Sequence, residues 1–384
     1  MINIEKTEKI ASLYIGSMIL SSDPCCPMWN RENFLFSKPM KWNYIDGCLI
    51  RAVLMLHELS GDSTLLEYAK RFADAYVNDS GRIPTMDPLS FNLDNINGGR
   101  NLLYLYRQTG EEKYLSAAKW ICDSQIRLQP RLSCGNFYHK AIYPSQVWLD
   151  GTYMALPFMT ECAISCGRTD VFSDIIRQLR NINSIMKCPE TGLYRHGYDE
   201  TRSMIWADPE TGLSREFWLR AMGWYCAALA DICEITYKNV PELYELCSST
   251  LNDLLCSLSR YITPEGMLCQ LPAKAELEGN YPETSGTLLF SYSALKAYRL
   301  GICSEKIKAD GFRTLSAVTE NYISIADNNI PVLRNICLMA GLGGAQNRDG
   351  SGKYYLSEPV VENDAKGIAP FLMAFAELKR LTAQ

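Results

Sequence analysis

Apolar residues recur at helical rather than alternating spacing along almost the whole chain, and β-branched runs bounded by turn residues are scarce, which predicts an all-α protein. Two kinds of helix alternate. Residues 62–78 place Leu65, Leu66, Ala69, Phe72, Ala73 and Tyr76 on one face and Asp62, Glu67, Lys70, Arg71 and Asp74 on the other, the pattern of a helix with one solvated side. Residues 45–56 (IDGCLIRAVLML) are apolar nearly all round, as in a helix covered on every side. Amphipathic segments near 4–21, 62–78, 111–127, 168–187, 240–260 and 304–322 are each followed by an apolar one, near 44–59, 95–108, 151–164, 219–235, 285–300 and 366–378.

A weak internal repeat supports the pairing. Gly61-Asp62 with Leu66, Ala69 and Lys70 matches Gly110-Glu111 with Leu115, Ala118 and Lys119 at the same offsets. Six outer-then-inner pairs close naturally into a two-layered ring, an (α/α)6 toroid, because the inner helices are then covered by their neighbours and by the outer layer. No Pro/Gly/Ser-rich linker divides residues 1–384, so one domain is expected.

Composition narrows the picture. The 384 residues carry 38 Lys+Arg against 43 Asp+Glu and are 47% hydrophobic, which excludes disordered and collagenous classes and, without a basic run, disfavours nucleic acid or an anionic membrane as partner. Fifteen cysteines without a CxxC pair read as reduced thiols packed like small hydrophobes, with Cys48, Cys122, Cys162, Cys226, Cys233 and Cys256 inside apolar helical patterns. Cys162 and Cys166 lie one helical turn apart with no histidine near, so core packing is favoured over a metal pair. The start MINIEKTEKIAS carries charges where a secretory segment would be apolar, and no run suits a membrane span; a cytoplasmic protein is expected. There is no HExxH, Walker loop or GxSxG elbow, and Gly341-Leu342-Gly343-Gly344 follows no strand pattern, so neither a metal nor a nucleotide cofactor is expected.

In such a ring the loops leading into the inner helices open on one end. These segments are KWNYIDG (41–47), FNLDNINGG (91–99), VWLDGTY (147–153), REFWLRAMGWY (215–225), YPETSGT (281–287) and VVENDAKGIAPF (360–371), and each carries a carboxylate. Most acids at helix starts serve only as caps. Asp150 stands out because Val147, Trp148 and Leu149 surround it, and desolvation predicts a pKa raised into the range of a general acid. Asp94 stands out because it precedes Asn95, Asn97 and Gly98-Gly99, whose missing side chains allow a ligand or a backbone to come close. Two such carboxylates suit acid-base work on a sugar, and their repulsion would push one pKa further up. Of the three histidines, His57 belongs to a helix, whereas His139 and His196 fall in turn-rich aromatic segments and are binding candidates. Arg220 and Trp224 share a helix face, with Trp218 just before, which suits either a carboxylate-bearing sugar or a core arginine salt bridge.

Taken together, KWNYIDG, LDNINGG, HKAIYPSQVWLDGTYMALPF, GLYRHGYDE, FWLRAMGWY, ETSGT and RDGSGKYYLSEPVVENDAKGIAPF resemble the unsaturated rhamnogalacturonyl hydrolases, glycoside hydrolase family 105, and more distantly the unsaturated glucuronyl hydrolases. The resemblance implies an (α/α)6 barrel and a small oligosaccharide substrate whose non-reducing end is a 4,5-unsaturated uronic acid. It implies hydration of the vinyl ether, with Asp150 as acid and then base and Asp94 as the second acid, and no cofactor. Tyr44, His139, His196, Trp218, Arg220 and Trp224 fall on family pocket positions, Arg220 being the candidate for the uronate carboxylate. The alternatives are a conventional carboxylate-pair glycosidase, a sugar epimerase on a similar ring, and a non-catalytic sugar-binding toroid.

Overall fold

The computed structural model describes residues 3–383; residues 1, 2 and 384 of the expected span lie outside the described residues. Twelve long helices follow in chain order: α1 (Ile4–Tyr14), α2 (Tyr44–Ser60), α3 (Ser63–Tyr76), α4 (Gly99–Thr109), α5 (Glu112–Ser124), α6 (Gly151–Cys166), α7 (Val171–Ile185), α8 (Leu219–Thr236), α9 (Pro241–Ser259), α10 (Thr284–Arg299), α11 (Glu305–Asn321) and α12 (Ala365–Thr382). The even-numbered helices pack side by side in the order α2, α4, α6, α8, α10, α12 and back to α2, and the odd-numbered ones lie around them. This is the (α/α)6 ring.

Burial follows the two helix types. Every residue of α8 from Leu219 to Cys233 is buried, whereas α3 buries only the stripe Leu65, Tyr68, Ala69, Phe72, Ala73 and Tyr76. The internal repeat has a different meaning from the one expected. Gly61 and Gly110 adopt left-handed backbone, with φ of 68° and 71°, and end the inner helices α2 and α4. The short turns therefore run from an inner helix to the next outer one, and α1 packs on α12, so the two ends of the chain close the ring.

The lead-in loops gather at the N-terminal ends of the inner helices, where three two-stranded ribbons stiffen them. β1 (Gln146–Trp148) pairs antiparallel with β2 (Gly197–Asp199), β3 (Ile323–Ile325) with β4 (Pro331–Leu333), and β5 (Ile336–Cys337) with β6 (Val360–Val361). At the other end the axis is filled by charge. Arg100 reaches both Asp231 and Glu161, Lys296 Nζ lies 2.7 Å from Asp231, and Arg299 Nε lies 2.6 Å from Glu377. Arg100, Asp231, Lys296 and Glu377 are all buried, so the ring is plugged there.

Fifteen cysteines are unbridged, and seven of them, Cys48 and Cys162 among them, are buried. Cys122 is only partly buried and Cys256 is exposed, against the expectation of packed thiols, because these two outer-helix positions sit at the edge of the buried stripe. Among the described residues no helix is long and apolar enough to cross a membrane, and no group of three or more His, Cys, Asp or Glu could hold a metal ion.

Candidate active site

The acids of the lead-in segments separate into two sets. Glu283 caps α10 by accepting from the backbone of Ser285 and Gly286, and Asp364 caps α12 by accepting from Lys366 N. Asp46 accepts from Trp29, Asn30 and Asn43, and Glu216 pairs with Lys274. Asp150 stands at the cap position of α6 yet its side chain caps nothing, and Asn92 rather than Asp94 caps the turn Leu93–Asn95. Asp94 and Asp150 cap nothing and, unlike Asp46 and Glu216, each lies beside a histidine.

Each meets its own set of partners. Asp94 Oδ2 lies 2.6 Å from Lys140 Nζ, and its Oδ1 lies 3.7 Å from His139 Nε2. Asp150 Oδ1 lies 3.6 Å from His196 Nε2, and both atoms are buried with no hydrogen-bond partner. That separation is too long for a direct bond and suits a bridging water or substrate oxygen. His196 arrives there because β1 and β2 pair, setting Trp148 opposite Gly197 and joining Leu149 N to the His196 carbonyl. Its other nitrogen, Nδ1, is 2.7 Å from the Tyr355 hydroxyl. Tyr355 has no other hydroxyl partner, so it donates to Nδ1 and leaves the proton of the neutral ring on Nε2, facing Asp150.

The electrostatics correct two expectations. Burial pushes Asp150 up, but the imidazoles of His196 and His139 facing it outweigh burial and hold the carboxyl at about 2. Nor is Asp94 among the main influences on Asp150, because Lys140 pairs with Asp94 whereas the imidazoles face Asp150. Burial lowers His139 to about 4, so at neutral pH its ring is uncharged. Burial disfavours the charged Lys140, but Asp94 more than compensates and raises it above the ordinary lysine value.

An aromatic wall surrounds these groups. His139 and Tyr143 both stack on Trp148, with ring centroids 4.5 and 4.7 Å away, and His196 lies 4.7 Å from Trp218. Trp224 is one turn deeper, buried and stacked on Tyr153 at 4.5 Å inside the ring. Arg220 is buried: Nε donates to Ser285 Oγ at 2.7 Å, and Nη2 reaches Glu283 and the Cys337 carbonyl. The salt-bridge alternative thus holds for most of this guanidinium, and Nη1 alone remains without a protein partner. Tyr44 opens α2 and, with Asp94, lines a cleft of about 130 Å³ together with Glu32, Lys38, Asn92 and Asn95. Burial, with Glu32 and Asp94 nearby, raises its hydroxyl well above the ordinary tyrosine value. Larger grooves, such as one of about 690 Å³ between α1, α11 and α12, lie outside the ring.

The glycine pair after Asp94 serves packing rather than a ligand. A Cβ on Gly98 would lie 2.3 Å from the Trp42 ring, and one on Gly99 2.7 Å from Phe158. His57 is bound to the Tyr104 hydroxyl at 2.8 Å on α2, away from the mouth. Lys140 and Tyr355 were not singled out from the sequence. Lys140 adjoins His139, and a lysine beside a candidate histidine and carboxylate was the available signal; for Tyr355, far along the chain, there was none.

Residues 26–382 match Glycosyl Hydrolase Family 88. The structure superposes with a TM-score of 0.88 on a family 105 glycoside hydrolase of C. acetobutylicum, at 33% identity over 97% of this chain and 99% of that one. The chain is a glycosyl hydrolase of the family 88 and 105 type. Among curated proteins, this glycosyl hydrolase is 38% identical over 230 residues to a protein of Agrobacterium fabrum, covering 58% of this chain and 97% of the other. It is 25% identical over 237 residues to the unsaturated rhamnogalacturonyl hydrolase YesR of Bacillus subtilis, covering 60% of this chain and 64% of YesR. An unsaturated glucuronyl hydrolase specific for heparin shares the fold, with a TM-score of 0.72 at 12% identity over 99% of this chain and 98% of that one.

Proposed function

We propose that this hydrolase removes a 4,5-unsaturated uronic acid from the non-reducing end of a small oligosaccharide, with unsaturated galacturonate on rhamnose as the leading substrate. The observation that carries the reading is the buried, uncapped Asp150 carboxylate facing an equally unpartnered His196 Nε2. The resemblance of the motifs and the similarity to YesR point to the same chemistry.

In this reading the protonated Asp150 gives its proton to carbon 4 of the vinyl ether, and positive charge develops at carbon 5 and the ring oxygen. A water held between Asp150 and His196 adds to carbon 5 and returns its proton to Asp150. The hemiketal so formed opens at the bond from carbon 5 to the ring oxygen, and the hemiacetal left at carbon 1 expels the next sugar. One water is consumed and the carboxyl ends as it began. Asp94, paired with Lys140, accepts from substrate hydroxyls and stabilises the developing charge. Nη1 of Arg220 faces the uronate carboxylate, while Tyr44, His139 and Trp218 line the pocket and Trp224 packs on Tyr153 beneath it.

Asp150 must acquire a proton that the empty site disfavours. Substrate binding supplies the means: it expels water and brings a second negative charge near Asp150, and both effects raise a carboxyl pKa. His139, uncharged at neutral pH, does not oppose that rise. A cytoplasmic location would suit a substrate produced outside the cell by a lyase and then imported.

The test is a panel of lyase-generated unsaturated disaccharides, followed by loss of the ultraviolet absorbance of the double bond. Asp150→Asn is expected to lower the rate by about a hundredfold or more while the protein stays folded. In heavy water, deuterium is expected at carbon 4 of the product. Equal turnover of a saturated galacturonyl-rhamnose, or product without deuterium at carbon 4, would sink the hydration mechanism.

A further inference from the structure

The segment Gly341-Leu342-Gly343-Gly344 has no role in the site described so far. In the fold it wraps the side chain of Arg348. A Cβ on Gly341 would lie 2.4 Å from Arg348 Nη1, and one on Gly344 3.2 Å from Nη2, so larger residues there would displace the guanidinium. Arg348 Nε donates to the Gly343 carbonyl at 2.9 Å, and Nη2 donates to the Tyr143 hydroxyl at 3.0 Å. The side chain is therefore held rather than free, yet it is half-buried, forms no ion pair among the described residues, and leaves Nη1 without a protein acceptor.

Its position relates it to the chemistry. The guanidinium carbon stands 6.0 Å from the Trp148 ring centroid, and the same indole contacts His139 and His196, whose rings flank Asp150. Arg348 is thus one aromatic ring away from the proposed acid, on the rim of the mouth. The charged groups around it are Glu358, within electrostatic range but beyond ion-pair distance, and Asp150 across Tyr355. An immobilised guanidinium without an ion-pair partner is suited to a planar or tetrahedral anion, which two donors of the fork can engage at once.

We propose that Arg348 is a specificity-determining residue that binds an anionic group, a carboxylate or a sulfate monoester, on the part of the substrate that leaves. The inference rests on the hydration reading above and names which unsaturated oligosaccharides the site prefers. Rhamnose bears no charge, so the preferred substrate would be longer than a disaccharide, or would carry sulfate on its second sugar.

The experiment compares the full chain with Arg348→Gln and Arg348→Lys on three unsaturated substrates: a disaccharide with a neutral second sugar, its sulfated counterpart, and a trisaccharide ending in a second uronate. The wild type is expected to favour one of the charged substrates, and which one identifies the anion. Arg348→Gln is expected to lose about tenfold in kcat/KM on that substrate, mostly through KM and less so at high salt, and to change the neutral one by less than about twofold. Arg348→Lys is expected to recover part of the loss. An equal loss on all three substrates would show that Arg348 only supports its loop, and no preference for charge would end the proposal. Should the wild type leave the chromophore of every substrate intact, the hydration reading itself falls, which is a distinct result.

Discussion

Lys140→Met tests how the two carboxylates are kept apart. Lys140 Nζ lies 2.6 Å from Asp94 Oδ2, with side-chain exposures of 22% and 12%, so the variant leaves a largely buried carboxylate with only an uncharged His139 beside it. Breaking a fully buried pair in this way costs about 3–5 kcal/mol, and the partial exposure of Lys140 reduces that to about 2–4 kcal/mol. For a chain of this length the unfolding entropy is roughly 0.8 kcal/mol per degree, so the midpoint should fall by about 3–5 °C. Asp94→Asn in the same protein removes the orphaned charge and should restore most of that stability. Activity should follow a different course: both the single and the double variant lose it, because Asp94 has lost its ion-pair partner in one and is replaced in the other. Thermal unfolding beside the chromophore assay reads the two quantities separately. A cost below about 1 kcal/mol would show that the pair does not hold the site, and a double variant as active as the wild type would remove Asp94 from the chemistry.

Tyr355→Phe should leave the fold intact and alter the pH profile of kcat, because the Nε2–H tautomer of His196 is no longer imposed; an unchanged profile would refute the tautomer argument. His139 gives the stability of the protein an acid dependence. Its folded-state pKa of about 4 lies below the ordinary 6.5, so the unfolded chain takes up a proton first and stability falls as pH drops from about 6.5 towards 4, by roughly 3 kcal/mol. His139→Asn should remove that slope in chemical unfolding between those limits. Asp46, raised to about 6 chiefly by burial, acts in the opposite sense but is common to both proteins and cancels in the difference. Arg220→Ala should loosen the strand Ile336–Cys337, whose carbonyl it holds, and with it the rim loop; a raised KM accompanied by faster proteolysis within 337–364 would show this, and an unchanged digestion pattern would not.

The ring was readable in the sequence because its cause is local. Helices covered on all sides and helices covered on one side differ in composition, and their alternation needs no long-range knowledge. Asp94 and Asp150 were readable for a related reason, since their immediate neighbours already distinguish them from caps. The direction of the Asp150 pKa was not, because it is decided by His196, which only the β1–β2 pairing brings close. Arg220 illustrates the same limit. Its motif fits a ligand carboxylate, but Glu283 and the Cys337 carbonyl, from two other parts of the chain, occupy most of its donors. Gly98-Gly99 was misread because Trp42 and Phe158 take the space that the missing side chains leave.

The buried charges that plug the far end of the ring decide how material moves through the enzyme. With Arg100, Asp231, Lys296 and Glu377 closing the axis, the far end offers no passage among the described residues. A chain must enter by its tip, so internal uronides are out of reach and processing is confined to one residue per visit. Under the proposed hydration, the departing sugar, nearest the exit, must clear before the released keto acid can follow. The keto acid would then be the last to leave, competing with fresh substrate for the same seat.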